Sequence, residues 1–416
     1  MKIRIFEILG LFSMFLLCCC ADQFSDASDA GRAKMLKVSI LPQIPPHIEN
    51  IPLLSVNLVN PTENYTVNAT IKDGQLTELD DVMPGIYNVT LSGISEDGIF
   101  SGGIAGLRIF SDRGSENPLV LPVSVKEPEA LCFKEIFYTS SPDFYKKDQY
   151  YEIYNNSDRV VYLDNLCITT LQPDQSAFES EFMTWNEPDA DEYVYARVVF
   201  RIPGTGTDYP LEPGQSVVIA SLAVNHKLLN TSPNARTVDL TSAEFEAWIP
   251  SMTGTVSDNP KSINMDLYVG TSNNIGDSWF TTVYGCCYAL FRSPGPTEPS
   301  DFAIPIGRTQ KLYRIRLDRC IDVVECVKNQ ETKQRKRVPN ILDAGSFCMD
   351  AIYNNTSIVR KIDVKKTEDA GGRIVLQDTN NTTNDFEPQT PPMIRRYLNI
   401  PECIPSWSLQ SPNYGK

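Results

Sequence analysis

The sequence predicts an all-β protein made of two β-sandwich domains, the second enlarged by a long insertion that carries a short helix. Three observations lead there. Short runs such as "MLKVSILP", "LLSVNLVN" and "GIYNVTLSG" alternate apolar with polar residues, the period of a half-buried strand. Turn formers separate these runs at the spacing of a sandwich, and the 416 residues include 29 Pro and 23 Gly. Composition agrees: 42 % of residues are hydrophobic, enough for real cores, and 18 Tyr favour pleated, half-buried surfaces.

The N-terminus carries an address. "MKIRIFEILGLFSMFLLCCC" has Lys2 and Arg4, an apolar run from Ile8 to Leu17, then cysteines. The run is shorter than the ~20 residues a bilayer span requires and has the layout of a secretory signal over residues 1–20. With Leu17 three residues before Cys20, it resembles a bacterial lipobox. The resemblance implies that Cys20 is acylated and opens the mature chain, with Cys18 and Cys19 as alternative sites. An ordinary cleaved signal that ends in Cys is the competing reading. Residues 21–34, polar and small, read as a flexible tether. The expected location is the outer membrane, lipid-anchored and facing the cell surface, with the membrane as the first partner. Eight cysteines remain after Cys20, an even number that permits disulfides outside the cytoplasm, Cys320 and Cys326 being close enough in sequence to close one hairpin.

Residues 35–126 read as one small sandwich. In "MPGIYNVTLSG", Pro84 and Gly85 suit a type II turn, with Gly85 at positive φ, and Ile86, Val89 and Leu91 lie close to period two. The run "GQLTELDDVMPGIYNVTLSG" resembles the transthyretin-like or carboxypeptidase-regulatory domain, which implies a spacer or docking module. Glu127-Pro128 marks a break. Residues 128–403 form the second domain, with the insertion at about 222–345 and a tail over 404–416. Within it, "YYEIYNNSDRVVYLDNLCI" (150–168) and "LEPGQSVVIAS" (211–221) resemble the lamin-tail domain, and "SIVRKI" and "GGRIVLQDTNNTTNDFE" resemble its closing segment, although "TPPM" stands where that family has a Pro-Gly turn. This resemblance implies an immunoglobulin-like sandwich. The whole order resembles surface lipoproteins of Bacteroidetes-type bacteria. In the insertion, "LTSAEFEAWI" predicts a helix capped by Thr241, with Glu244 closing a capping box and Leu240 stapled to Phe245. "WFTTVYGCCYALFR" and "RTQKLYRIRLDRCIDVVECV" read as strands, and the vicinal Cys286 and Cys287 should face opposite sides.

The search for chemistry meets absences. There is no GxSxG, SxxK, HExxH or Walker loop. The two histidines, His47 and His226, have no paired nucleophile in sequence and read as structural or exposed. A net charge of −15 argues against nucleic-acid partners. No resident cofactor is expected. Ca2+ is the one ion the loops could hold, through Asp378, Asn380, Asn381, Asn384 and Asp385, or through Glu187, Asp189, Asp191 and Glu192. Both loops also read as ordinary solvated or self-bonded turns. Tyr138, Phe144, Tyr145 and Trp185 lie near loops and are candidate binding aromatics. The basic run from Lys328 to Arg337 reads as a hairpin tip or an anion-docking patch. The functional expectation is a non-enzymatic envelope binding or adhesion protein, partnered with an outer-membrane transporter of the TonB-dependent kind or with a host or matrix protein. A carbohydrate- or phosphoester-active hydrolase using paired carboxylates, and a metal- or haem-capturing lipoprotein, are the alternatives.

Overall fold

The computed structural model describes residues 34–415, apart from 61, 96–97, 127–128, 174–182, 253–256, 272–274, 276–278, 330–331 and 333–336. Cys20, the tether and the Glu127-Pro128 break therefore lie outside the described residues. The chain is mostly strand, with three short α-helices among the described residues: α1 His226–Leu229, α2 Val364–Asp369 and α3 Thr382–Asp385. None is long and apolar enough to cross a membrane.

The first seven strands are β1 Leu36–Gln43, β2 Leu54–Asn60, β3 Tyr65–Ile71, β4 Thr77–Val82, β5 Gly85–Ser95, β6 Gly98–Ile109 and β7 Leu119–Lys126. They hydrogen-bond in the order β3-β2-β5-β6-β7-β1-β4. The first half of β7 runs parallel to β1 up to Pro122, and its second half pairs antiparallel with β6 from Val123 on. Proline has no N–H to donate, so it suits the point where a strand changes neighbours. Val38, Ile40, Val56, Leu58, Tyr87, Val89, Leu91 and Phe100 fill the core of this unit. Tyr87, not Ile86, points inward. Gly85 does not take the expected positive φ; a Cβ there would lie 2.2 Å from Asn60 Nδ2, so a larger residue would have to displace that side chain.

The remaining strands are β8 Leu131–Phe137, β9 Tyr150–Asn155, β10 Val161–Tyr162, β11 Leu166–Leu171, β12 Tyr193–Arg201, β13 Pro210–Leu211, β14 Ser216–Ala220, β15 Phe245–Glu246, β16 Ile263–Asn264, β17 Asp266–Val269, β18 Cys287–Arg292, β19 Phe302–Ala303, β20 Leu312–Arg316, β21 Cys320–Val327, β22 Phe347–Cys348, β23 Ser357–Arg360 and β24 Phe386–Gln389. Of these, β10 pairs with β13 in a separate two-stranded sheet, and the other fifteen build two facing sheets, β16-β15-β14-β9-β8-β23-β24 and β19-β20-β12-β11-β18-β21-β22, the latter with β17 added to β12. Between them lies the largest core, in which Phe133, Tyr151, Ile153, Val217 and Ile358 meet Ile168, Phe200, Tyr288, Leu290 and Val324. The outer faces are covered too. Phe137, Tyr150 and Val218 pack under Leu240 and Ala243, and Cys132 and Tyr154 pack under Leu376. On the other sheet Cys167, Val199, Cys287 and Val323 pack under Leu342. All six residues of β9 are consequently buried.

Burial on both faces forces charges indoors. Lys134 donates to Glu152 at 2.9 Å, both side chains fully buried, and the same carboxylate accepts the Arg395 N–H at 3.0 Å. Glu244, expected to close a helix cap, instead accepts the Val218 N–H at 2.8 Å and pairs with Arg395 at 2.5 Å. The predicted helix at Thr241 is thereby replaced by a turn leading into β15, because a sheet N–H and a buried guanidinium claim the carboxylate that the cap would need. The insertion's helix is α1, capped by the Asn225 side chain. Cys320 and Cys326 lie on the same strand and do not bridge a hairpin.

Arg360 joins the two sheets. After Ile358 it takes the next inward position of β23. Its guanidinium reaches Asp322 of β21 at 2.6 Å, Asp378 at 3.2 Å, Asp385 at 3.5 Å and the Phe133 carbonyl of β8 at 2.9 Å. Replacing it by Met keeps much of the volume but leaves three carboxylates buried around no cation. Arg360→Met should lower the unfolding free energy by about 3–5 kcal/mol, read from urea denaturation against the parent.

Candidate functional site

A cavity of about 300 Å³ opens between the end of β11, the middle of β12, the loop before β18 and the loop before β23. Its walls include Lys146, Arg197, Trp279, Phe280, Tyr284 and Tyr353, together with Thr170, Gln172 and Thr282. The size sits at the lower end of the ~300–1,000 Å³ usual for small-molecule sites.

A bulge places the arginine. Pairing of β11 with β12 runs Thr169 to Val199 and then Leu171 to Ala196, so two residues, Arg197 and Val198, oppose Thr170 alone. Bulges bend a strand and re-aim its side chains. The displaced Val198 carbonyl is satisfied by the Thr169 hydroxyl at 2.6 Å. Arg197 is half-buried, and its Nε is buried without a hydrogen-bond partner.

The aromatic wall comes from "WFTTVYG". This stretch, expected to continue the strand, is a loop, and only Cys287–Arg292 is β18. Two features hold it out. Gly285 takes φ +91 in a turn closed by its N–H to the Thr282 carbonyl at 3.2 Å, and a Cβ there would lie 2.8 Å from the Cys326 backbone. Beneath the loop, the buried Gln149 amide pairs with Thr281 like a strand neighbour. Its Oε1 accepts the Thr281 N–H at 2.7 Å, and its Nε2 donates to the Thr281 carbonyl at 3.0 Å and to the Tyr138 carbonyl at 2.9 Å. Trp279 is wedged against Tyr151 and Phe200, at 5.5 and 5.1 Å between ring centres. Arg337, paired with Glu325 at 3.2 Å, donates to the Gly285 carbonyl at 3.4 Å and to the Cys326 carbonyl. Cys286 and Cys287 divide between the two cores on either side of the sheet.

At the rim, Lys146 stands 4.0 Å over the Phe280 ring and Lys328 5.1 Å from the Tyr284 ring. Phe144 is 73 % exposed, with its ring 4.9 Å from Tyr353 in an edge-on contact. Its φ of +67 is a costly conformation for a bulky side chain, held by the Ser141 and Tyr145 backbone bonds that flank it.

The other sequence candidates scatter. Tyr138 is fully buried beside Tyr288. Tyr145 donates to His226 Nδ1 at 2.7 Å, since Nε2–H is taken by the Leu222 carbonyl at 3.0 Å. Burial holds His226 down at about 4, so the ring is neutral. His47 is exposed in the first unit. Trp185 lies flat on Tyr195, 3.5 Å between centres. Asp189 pairs with Arg314 at 2.7 Å and Glu192 with Arg316 at 3.6 Å; Glu187 and Asp191 belong to the same short loop. Asp378 and Asp385 face Arg360, Asn381 caps α3, the Asn384 carbonyl accepts from Lys361 at 2.6 Å, and the Asn380 carbonyl accepts the Ala344 N–H at 2.7 Å. Among the described residues no group of three or more His, Cys, Asp and Glu side chains is arranged to hold a metal ion. Of the basic run, Lys333, Arg335 and Lys336 lie outside the described residues. Only Phe144 touches the cavity's rim; Lys146, two residues on, and Arg197, inside a strand, carry no sequence signature of their own.

Two measurements follow. Gln149→Leu orphans both Thr281 backbone groups in a dry interior and should cost about 2 kcal/mol, with a red shift of tryptophan emission as Trp279 loosens. The second concerns pH. Burial pushes Asp148 and Glu246 each up to about 7, Asp148 with Asp143 nearby adding to the rise. A carboxyl raised in the folded state binds its proton more tightly there, so its contribution to stability is lost as pH rises through the folded pKa. The depressed His226 works the other way, but only below 6.5. Between pH 6.5 and 8 each of the two acids should therefore remove about 1 kcal/mol, and Asp148→Asn should flatten that decline in a thermal-melt series.

Residues 212–393 match the family model described as "Protein of unknown function (DUF4876)". That span holds the Trp279–Cys286 loop, Tyr353 and Arg360 but not Lys146 or Arg197. The chain is similar to the crystal structure of a DUF4876 family protein from Bacteroides thetaiotaomicron VPI-5482, with 29 % identity and a TM-score of 0.59 over 90 % of this chain and 99 % of that one. No curated protein matches it. The cavity walls thus come in part from a segment resembling a family of unknown function and in part from strands that precede it.

Proposed function

We propose that this chain is a lipid-anchored binding protein of the bacterial cell envelope, not an enzyme, and that it takes its ligand in the groove between Lys146, Arg197 and Tyr353. The observation that carries the reading is a cationic, ring-lined cavity, preorganised by buried contacts, on a chain of net charge −15. A preset cavity needs little ordering when it binds. The anchor rests on the N-terminal layout ending at Cys20, and the surface location on that anchor. The transthyretin-like and lamin-tail resemblances support modules that display a site; in this reading the first unit is a spacer and the second carries the groove. Delivery to an outer-membrane transporter, or adhesion to a host or matrix component, are the uses such a displayed site would serve.

The hydrolase alternative asks for two carboxylates across a cavity. A second cavity of about 390 Å³ does contain Glu129 and Asp164. Asp164, however, spends both oxygens on the N–H groups of Gly206, Asp208 and Tyr209 at 2.9–3.1 Å, and these bonds hold its carboxyl below the usual range despite burial. Its carboxylate is engaged in shaping that loop.

The reading is checked in two steps. Cys20→Ala should move the protein from the membrane pellet to the soluble fraction. A thermal-shift panel of amino acids, short peptides, neutral sugars, sugar acids and nucleotides should contain at least one class that raises the melting temperature of the parent but not of Arg197→Met or Tyr353→Ala. A panel in which no stabilisation depends on either residue would count against the groove.

A further inference from the structure

We infer that the groove's ligand is an anionic sugar ring, a pyranose bearing a carboxylate or a sulfate; this deepens the binding reading above and rests on it. Charge comes first. Arg197 and Lys146 line the cavity, Lys328 stands beside the Tyr284 ring, and the described lining residues include no Asp or Glu. Arg197 is half-buried at the cavity wall, and a partly desolvated guanidinium pairs best with the oxygens of an anion. Rings come second. Phe280, Tyr284 and Tyr353 are half-buried, so each keeps some ring surface in contact with the cavity's solvent. Aromatic faces suit the C–H faces of a sugar, and Phe144, exposed at the rim beside Tyr353, extends that surface outward.

Polarity decides between a sugar acid and an apolar acid. Thr170, Gln172 and Thr282 stand among the rings. An apolar carboxylate would strip water from these groups and return no hydrogen bond, whereas ring hydroxyls restore them. Size fixes the extent. About 300 Å³ suits a ligand of one or two rings and not a length of polymer, so the groove reads a short acidic unit, with the remainder of any chain passing Phe144.

The test titrates the anchored-form chain, extracted whole in mild detergent, with digalacturonic acid, galactose 6-sulfate, neutral digalactose, phenylacetate and an Asp-containing dipeptide, followed by calorimetry and tryptophan emission. An acidic sugar should bind about tenfold or more tighter than the neutral one, weaken with added salt, and lose that preference in Arg197→Met. Arg197→Lys, which keeps the charge but loses the planar fork, should retain part of it. Tyr353→Ala should weaken acidic and neutral sugars alike. The uronate and sulfate arms tell which anion is read. Equal binding of neutral and acidic sugars overturns the inference. So does tighter binding of phenylacetate or the dipeptide through Arg197, which would leave the groove reading standing. No acidic-sugar binding at any soluble concentration overturns it as well, and acidic-sugar binding indifferent to both Arg197→Met and Tyr353→Ala overturns the groove reading with it.

Discussion

One guanidinium holds the large sandwich in register. Arg360 lies between the sheets, tied to Phe133 of β8, Asp322 of β21 and the Asp378 and Asp385 loop. Burial raises Asp322 to about 6 and Asp385 to about 7, against the pull of Arg360 on both carboxylates. The cluster's directional bonds also fix the height of β21, which apolar packing alone leaves free to slide. Four residues beyond Asp322, Cys326 accepts from Arg337 and closes against Gly285, the turn that carries Tyr284. The groove wall is thus referred back, along one strand, to the buried arginine.

The second constraint is that both faces of the β8–β9–β14 sheet are covered. A sheet with one wet face can put its charges in water; this one cannot. Lys134, Glu135, Glu152, Glu244 and Arg395 are all buried, and burial raises both Glu135 and Glu244. Such a network specifies which covering segment goes where. Arg395 brings the chain's late segment to Glu152 and Glu244, and Trp407 then docks between Tyr209 and Phe245 with its indole N–H on the Pro210 carbonyl. Trp407 and Ser408, within the segment expected as a tail, are part of the cover.

This explains what could be read from the sequence. Strand runs were legible because period two survives wherever one face packs, as in "GIYNVTLSG". "YYEIYN" was legible as a strand, and Glu152 as a structural acid, though its buried partner Lys134 was not. The failures share one cause. The helix expected at Thr241 rested on local capping chemistry, and Glu244 is claimed by residues 26 and 151 positions away. "WFTTVYG" has the composition of a strand and is held off the sheet by Gln149, 132 residues earlier. Gly85 was read as a turn glycine when the reason lies in the side chain of Asn60. Local pattern reports propensity; these positions are decided by distant partners.

The groove is the extreme case, since nothing in the sequence marks Arg197. It sits in "YVYARVVFR", where strict alternation would assign each residue to one face or the other. The bulge opposite Thr170 breaks that alternation, and the Thr169 hydroxyl satisfies the freed Val198 carbonyl. A bulge leaves little trace in composition, so a side chain aimed by one is invisible to pattern reading. The price is local irregularity in an otherwise well-paired ladder, and Phe144 at positive φ adds strain at the same rim. Two departures from regular geometry, each held by hydrogen bonds, converge on one cavity; on the binding reading proposed above, they would set its cation and its rings in place before a ligand arrives.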